Sequence, residues 1–149
     1  MKKNILVSAC LLGEATRYDG KSVTNKDALR LSEFYNIIPI CPEVIGGLPI
    51  PRIPSERVGA SVLSRDGRDV TENFLCGARE AHRLFCENEC ELAVLKERSP
   101  SCGRGRIYDG SFSGTLTDGN GVTAELLLKH GVRIYGESEI KKLLTNKEK

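Results

Sequence analysis

The sequence predicts an α/β protein built on an open, mainly parallel β-sheet with helices on both faces. Three short runs, NILVS at 4–8, IIPI at 37–40 and LAVL at 92–95, are continuously apolar rather than alternating, the pattern of strands covered on both faces. Segments with helical spacing lie between them. Strands alternating with helices argue for a sheet layered with helices.

Taken in order, Asn25 to Tyr35 forms a modest helix after the first strand. The segment from about Glu72 to Glu89 is more regular. It places Phe74, Ala78, Ala81 and Phe85 on one face, with Asp69 and Thr71 ahead of it as caps and Asp69 with Glu72 as a variant capping box. Val122 to His130 is a third helix, stopped by Gly131, the residue that tolerates the left-handed turn at a helix end. VRIY at 132–135 reads as a fourth strand and GESEIKKLL at 136–144 as a closing helix. The stretch 46–60, GGLPIPRIPSERVGA, interleaves Leu48, Ile50 and Ile53 with prolines. A solvated linker has no use for those apolar residues, so a rigid loop with one side packed down is expected.

The 149 residues suit one domain, residues 1–149, able to bury its own core. No apolar run is long enough to span a bilayer, and the start lacks a signal-peptide pattern. A soluble cytoplasmic protein is expected. A net charge of +2 with scattered basic residues excludes the clustered basic face of a nucleic-acid binder, and the tail KKLLTNKEK reads as a solvated helix end. G-x-G-x-x-G and a P-loop lysine motif are both missing, which leaves a nucleotide-binding module little support.

Six cysteines are many for a reducing compartment, where structural disulfides are rare, so metal binding or catalysis gains weight. None stands in a CxxC pair, and any shared site must be assembled by the fold. Cys10 follows the first strand, Cys41 the second, and Cys102 lies in the turn SPSCG after the third. Ligands of open α/β sheets bind outside the carboxyl ends of the strands, where these thiols can meet. Three thiolates without an acidic or histidine partner at fixed spacing suit a thiophilic centre. A 4Fe-4S cluster is the strongest candidate, with three cysteines leaving one iron open. The alternative is that the three are simply buried small apolar groups.

The phrases VSACLLGEATRYDG, ICPEVIGGLPIPRIPSE, LKERSPSCG and YDGSFSGTLTDGNGVTAELLLKHG resemble a bacterial family long known as a domain of unknown function, whose characterised members are thiouracil desulfidases. The resemblance runs over nearly the whole chain in the family's order. It implies a Rossmann-like domain holding a 4Fe-4S cluster through Cys10, Cys41 and Cys102. It also implies a non-redox reaction in which 2-thiouracil binds through sulfur to the unique iron, water attacks the carbon, and uracil and hydrosulfide leave. The partner is then a small thiolated pyrimidine, with neither a nucleic-acid polymer nor a membrane.

Removing sulfur from a thiocarbonyl needs a soft Lewis acid, a group to activate water and a proton relay. Glu43, two residues after Cys41, and Ser101, beside Cys102, match the family's catalytic pair through CPE and SPSC. From the residues alone, they read as a surface carboxylate and a turn residue. Ser8, Gly46, Gly47 and Gly103 read either as a surrounding shell, in which Gly103 would bring backbone close to a cluster or give an N–H to its sulfides, or, for the glycines, as residues that merely permit tight turns. Arg52, and Arg17 with Tyr18 and Asp19, either line the pocket for a pyrimidine carbonyl or make ion pairs between loops. His82, Cys86 and Cys90 share a helix face at four-residue spacing, read as a polar face with incidental thiols in preference to a metal triad. Cys76 falls off the apolar face, and Cys76 or Cys90 in the crevice would close the cluster's fourth position. The competing function is a carrier or sensor of a cluster or metal, which needs the three cysteines but neither Glu43 nor Ser101.

Overall fold

A computed structural model describes residues 2–148. In chain order the elements are β1 (Lys3–Ser8), α1 (Lys26–Arg30), β2 (Tyr35–Ile40), α2 (Pro42–Ile45), β3 (Ser55–Val58), β4 (Ser61–Ser64), α3 (Thr71–Glu87), β5 (Ala93–Leu95), β6 (Arg106–Tyr108), β7 (Leu116–Asp118), α4 (Val122–Lys129), β8 (Ile134–Gly136) and α5 (Ile140–Glu148), with short 3-10 turns after β1, α1 and β8. Four strands form one sheet in the order β2-β1-β5-β8, and each neighbouring pair is parallel.

Side chains of successive strand residues point to opposite faces, and both faces are covered. Ile5, Val7 and Val94 pack with Ala28 and Leu31 and with Ile140, Leu143 and Leu144 of α5. Leu6, Ala93 and Leu95 pack with Ala81 of α3 and Ala124 and Leu127 of α4. The continuous apolar runs follow from this two-sided cover. From β1 the chain moves outward to β2, then returns past β1 to β5. The strand order therefore reverses between β1 and β5, the point where open sheets bind ligands.

The local expectations need correction at three places. The helix expected over 25–35 is a five-residue α1 followed by a 3-10 turn, because Tyr35 is drawn into β2 opposite Lys3 and buried. Asp69 precedes the N-cap, which is Val70; its carboxylate accepts from the Thr71 N–H, the Thr71 hydroxyl accepts from the Val62 N–H, and no box with Glu72 forms. Within 46–60 only Leu48 packs on the core, while Ile50 and Ile53 are exposed and residues from Ser55 enter a two-stranded ribbon of β3 and β4. A second ribbon, β6 with β7, carries the loop between them over the sheet's carboxyl edge. Among the described residues, no helix is long and apolar enough to cross a membrane.

Candidate active site

A cleft of about 440 Å³ opens at the carboxyl ends of β1, β2 and β5, lined by all three cysteines of the sequence reading together with Ser8, Arg17, Glu43, Arg52 and Ser101. Cys10 lies in the 3-10 turn Ala9–Leu12 that follows β1, closed by Gly13 in the left-handed conformation. Cys41 is the N-cap of α2, which puts Glu43 in that helix's first turn. Cys102 is held by a serine that sequence inspection passed over. The Ser99 hydroxyl accepts from the N–H groups of Ser101 (3.1 Å) and Cys102 (3.0 Å), while the Ser99 carbonyl accepts from Gly103 (2.9 Å). SPSCG is thus one tight turn whose backbone donors bond to its own first serine.

Burial pushes the Cys10 thiol up to about 11, with the Cys41 thiol adding to the shift and Lys96 opposing it. It pushes Cys102 up to about 12, against hydrogen bonds from Ser8 and Ser101, with Cys41 and Cys10 adding. Among the described residues, no three His, Cys, Asp or Glu side chains come together closely enough to hold a single metal ion. A mononuclear site brings every donor within about 2.3 Å of one atom, whereas a cluster spreads its thiolates over separate irons. Three thiols brought to one cleft from the ends of three strands are donors of the kind that suits an iron-sulfur cluster.

Glu43 carries the polar half of the site. Its Oε1 accepts from Arg52 Nε at 3.1 Å and its Oε2 from the Ser101 hydroxyl at 2.9 Å, with Ser101 Oγ also 3.6 Å from Cys102 Sγ and 3.0 Å from Ser99 Oγ. A hydroxyl has one proton to give, so Ser101 donates to the carboxylate or to the sulfur, not to both at once. Three of the five Arg52 N–H donors are in use, since its terminal nitrogens also donate to Pro49 O (3.2 Å) and Thr16 O (3.0 Å). The structure shows Arg52 in an ion pair that ties loops together and, at the same time, in the lining of the cleft.

Other expected site residues have different tasks. Ser8 lines the cleft and accepts from the Lys96 N–H at 2.9 Å, joining β1 to the end of β5. Arg17 lines it too, 3.8 Å from Asp19 and stacked on Tyr18. Gly46, Gly47 and Gly103 are not in the lining. A Cβ on Gly46 would lie 2.2 Å from Asn73 O, so this glycine serves the packing of α2 on α3. The Gly103 N–H is already bound to Ser99 O, and a Cβ there would meet Ser99 O at 2.8 Å, so it has no donor for a sulfide. Cys76, Cys86 and Cys90 also stay out of the cleft; Cys86 Sγ lies 3.4 Å from His82 Nε2, and His82 stacks on His130. Residues missed from sequence are Ser99, Thr16 and Glu56, none of which carries a motif that marks it in isolation. Thr16 Oγ1 is buried without a hydrogen-bond partner on the cleft wall.

The fold and the cleft define a doubly wound α/β protein with a thiol-lined site at its topological switch point. The family model for 2-thiouracil desulfurase matches residues 5–139, and the chain belongs to that family. The uncharacterised protein YbbK of Bacillus subtilis (strain 168) is 38% identical over 94% of this chain and 99% of its own. Among solved structures, the 4Fe-4S-dependent thiouracil desulfidase TudS is similar with a TM-score of 0.88 and 44% identity over 99% of both chains.

Proposed function

We propose that this chain is a thiouracil desulfidase, converting 2-thiouracil or a closely related thiolated pyrimidine with water into uracil and hydrosulfide. The observation that carries this reading is the run of side chains Arg52–Glu43–Ser101–Cys102 along one wall of the cleft that Cys10 and Cys41 share. Cys10, Cys41 and Cys102 would hold a 4Fe-4S cluster, supported by the all-thiol donor set and by the related TudS. When bound, the cluster supplies a soft Lewis acid with an open coordination position for sulfur.

The chain's own groups supply the proton chemistry. Arg52 keeps the Glu43 carboxylate in one orientation through its Nε–H. Glu43 holds the attacking water and takes a proton from it as oxygen joins C2. The Ser101 hydroxyl, hydrogen-bonded to Glu43 Oε2, gives its proton to the departing sulfur and takes from Glu43 the proton that came from the water. The water oxygen becomes the second carbonyl of uracil, one proton leaves on hydrosulfide and one passes to solvent. The carbon keeps its oxidation state, so no electron donor is required. A carrier or sensor would have no use for a carboxylate clamped this way.

The test is anaerobic reconstitution of wild type, Glu43→Gln and Cys102→Ser, with iron counted and hydrosulfide and uracil followed from 2-thiouracil. Glu43→Gln should keep its iron and lose about 10²–10⁴-fold in rate, the usual contribution of a general base. Cys102→Ser should lose iron and activity together. Full activity in Glu43→Gln, or turnover that persists without iron, overturns the reading.

A further inference from the structure

We propose that Glu56 recognises the base: one carboxylate oxygen pins the loop over the cleft, and the other accepts a ring N–H of the thiolated pyrimidine. This rests on the desulfidase reading above. Glu56 lies on β3, is 8% exposed, and lines the same cleft as Glu43 and the three thiols. Its Oε1 accepts from the N–H groups of both Gly110 (2.9 Å) and Phe112 (3.1 Å). Among the described residues its Oε2 has no hydrogen-bond or ion-pair partner, and it is not sealed from solvent. The space it opens onto is the cleft. A carboxylate this buried, without a cation beside it, is unfavourable unless donors reach its oxygens. Backbone N–H groups reach one of them, and a ligand in the cleft reaches the other.

The loop that Glu56 holds has the shape this requires. Phe112 sits at φ +56, a conformation that bulky residues rarely adopt, and the two N–H groups on Oε1 hold the backbone there. Gly110, at φ +95, runs so close to β3 that a Cβ would meet Val58 Cγ2 at 2.7 Å. Phe112 and Tyr108 line the cleft and offer flat apolar surface to a planar ring, and the Arg65 guanidinium lies over the Phe112 ring at 5.6 Å. A carboxylate accepts and never donates. It therefore selects a base that presents ring N–H, which 2-thiouracil does on both sides of its thiocarbonyl carbon.

Both loop bonds end on one oxygen, so Glu56→Gln separates the two tasks. The amide oxygen keeps Gly110 and Phe112 in place, and an NH₂ donor replaces the free acceptor. In cluster-loaded protein, Glu56→Gln should leave melting temperature and iron content unchanged. It should raise KM for 2-thiouracil at least about tenfold, as expected for losing a hydrogen bond to a charged group, and leave kcat within about threefold. Calorimetric binding of uracil should weaken by the same factor. Methylating the bonded ring nitrogen of uracil should weaken binding to wild type but not to Glu56→Gln. Equal uracil affinity in the two proteins, no uracil binding to wild type, or indifference to methylation at either nitrogen overturns the proposal. Glu56-dependent uracil binding without hydrosulfide release sinks the desulfidase reading and supports the base site. Normal desulfuration with an unchanged KM in Glu56→Gln does the reverse.

Discussion

Arg52 holds the geometry of Glu43, and replacing it with methionine tests that dependence. Its side chain is 7% exposed and donates to Glu43, Pro49 O and Thr16 O. Methionine keeps the apolar stem and removes every donor. Glu43, 15% exposed, would be left with the Ser101 hydroxyl as its only side-chain donor among the described residues. Removing one partner of a buried pair costs about 3–5 kcal/mol, and the partial exposure of the carboxylate places the expectation near 3. At about 2–4 °C per kcal/mol for a chain of this size, the melting temperature should fall by about 6–12 °C. The assay is urea unfolding of metal-free, reduced protein followed by circular dichroism, with the denaturant slope unchanged. Adding Glu43→Gln removes the stranded charge, so the double variant should recover about 1–2 kcal/mol relative to Arg52→Met alone. An Arg52→Met variant within about 0.5 kcal/mol of wild type, or a double variant less stable than Arg52→Met, refutes this account of the pair.

Gly77→Ala would place a Cβ 2.0 Å from Pro42 O on the helix that carries Glu43. In an open helix the change stabilises by up to about 1 kcal/mol; here overpacking should destabilise by about 1–3 kcal/mol and slow hydrosulfide release, and a raised melting temperature would contradict the packing. For the thiols, the folded metal-free protein keeps the Cys10 and Cys102 protons up to about pH 11 and about pH 12, whereas the unfolded chain releases them near 9.0. Between those limits the unfolded state binds fewer protons, so stability falls as pH rises, by about 1.4 kcal/mol per unit for each thiol still titrating. Below pH 9 this contribution to the slope vanishes. Unfolding measured from pH 8 to 11 should show that extra slope in wild type and not in a Cys10→Ala/Cys102→Ala variant; identical slopes would show that the two thiols are not buried as described.

The sheet was legible because its strands are short, continuously apolar and separated by helices, and burial on both faces leaves no other pattern open to them. Cys10, Cys41 and Cys102 were legible as a group because each lies in the segment that follows a strand, and parallel strands bring their carboxyl ends to one edge. Glu43 and Ser101 could be matched to family motifs in the sequence, but only the folded chain puts a hydroxyl between that carboxylate and Cys102. Arg52 looked equally suited to pocket or ion pair, since the partners that hold it on the cleft wall, Thr16 and Glu43, lie 36 and 9 residues away. Glu56 was invisible for the same reason: its loop partners Gly110 and Phe112 are 54 and 56 residues on. Hydrophobic period is a local property, written in consecutive residues. The pairing of a buried charge depends on which distant backbone or side-chain groups the packed chain delivers, and that only the tertiary structure decided.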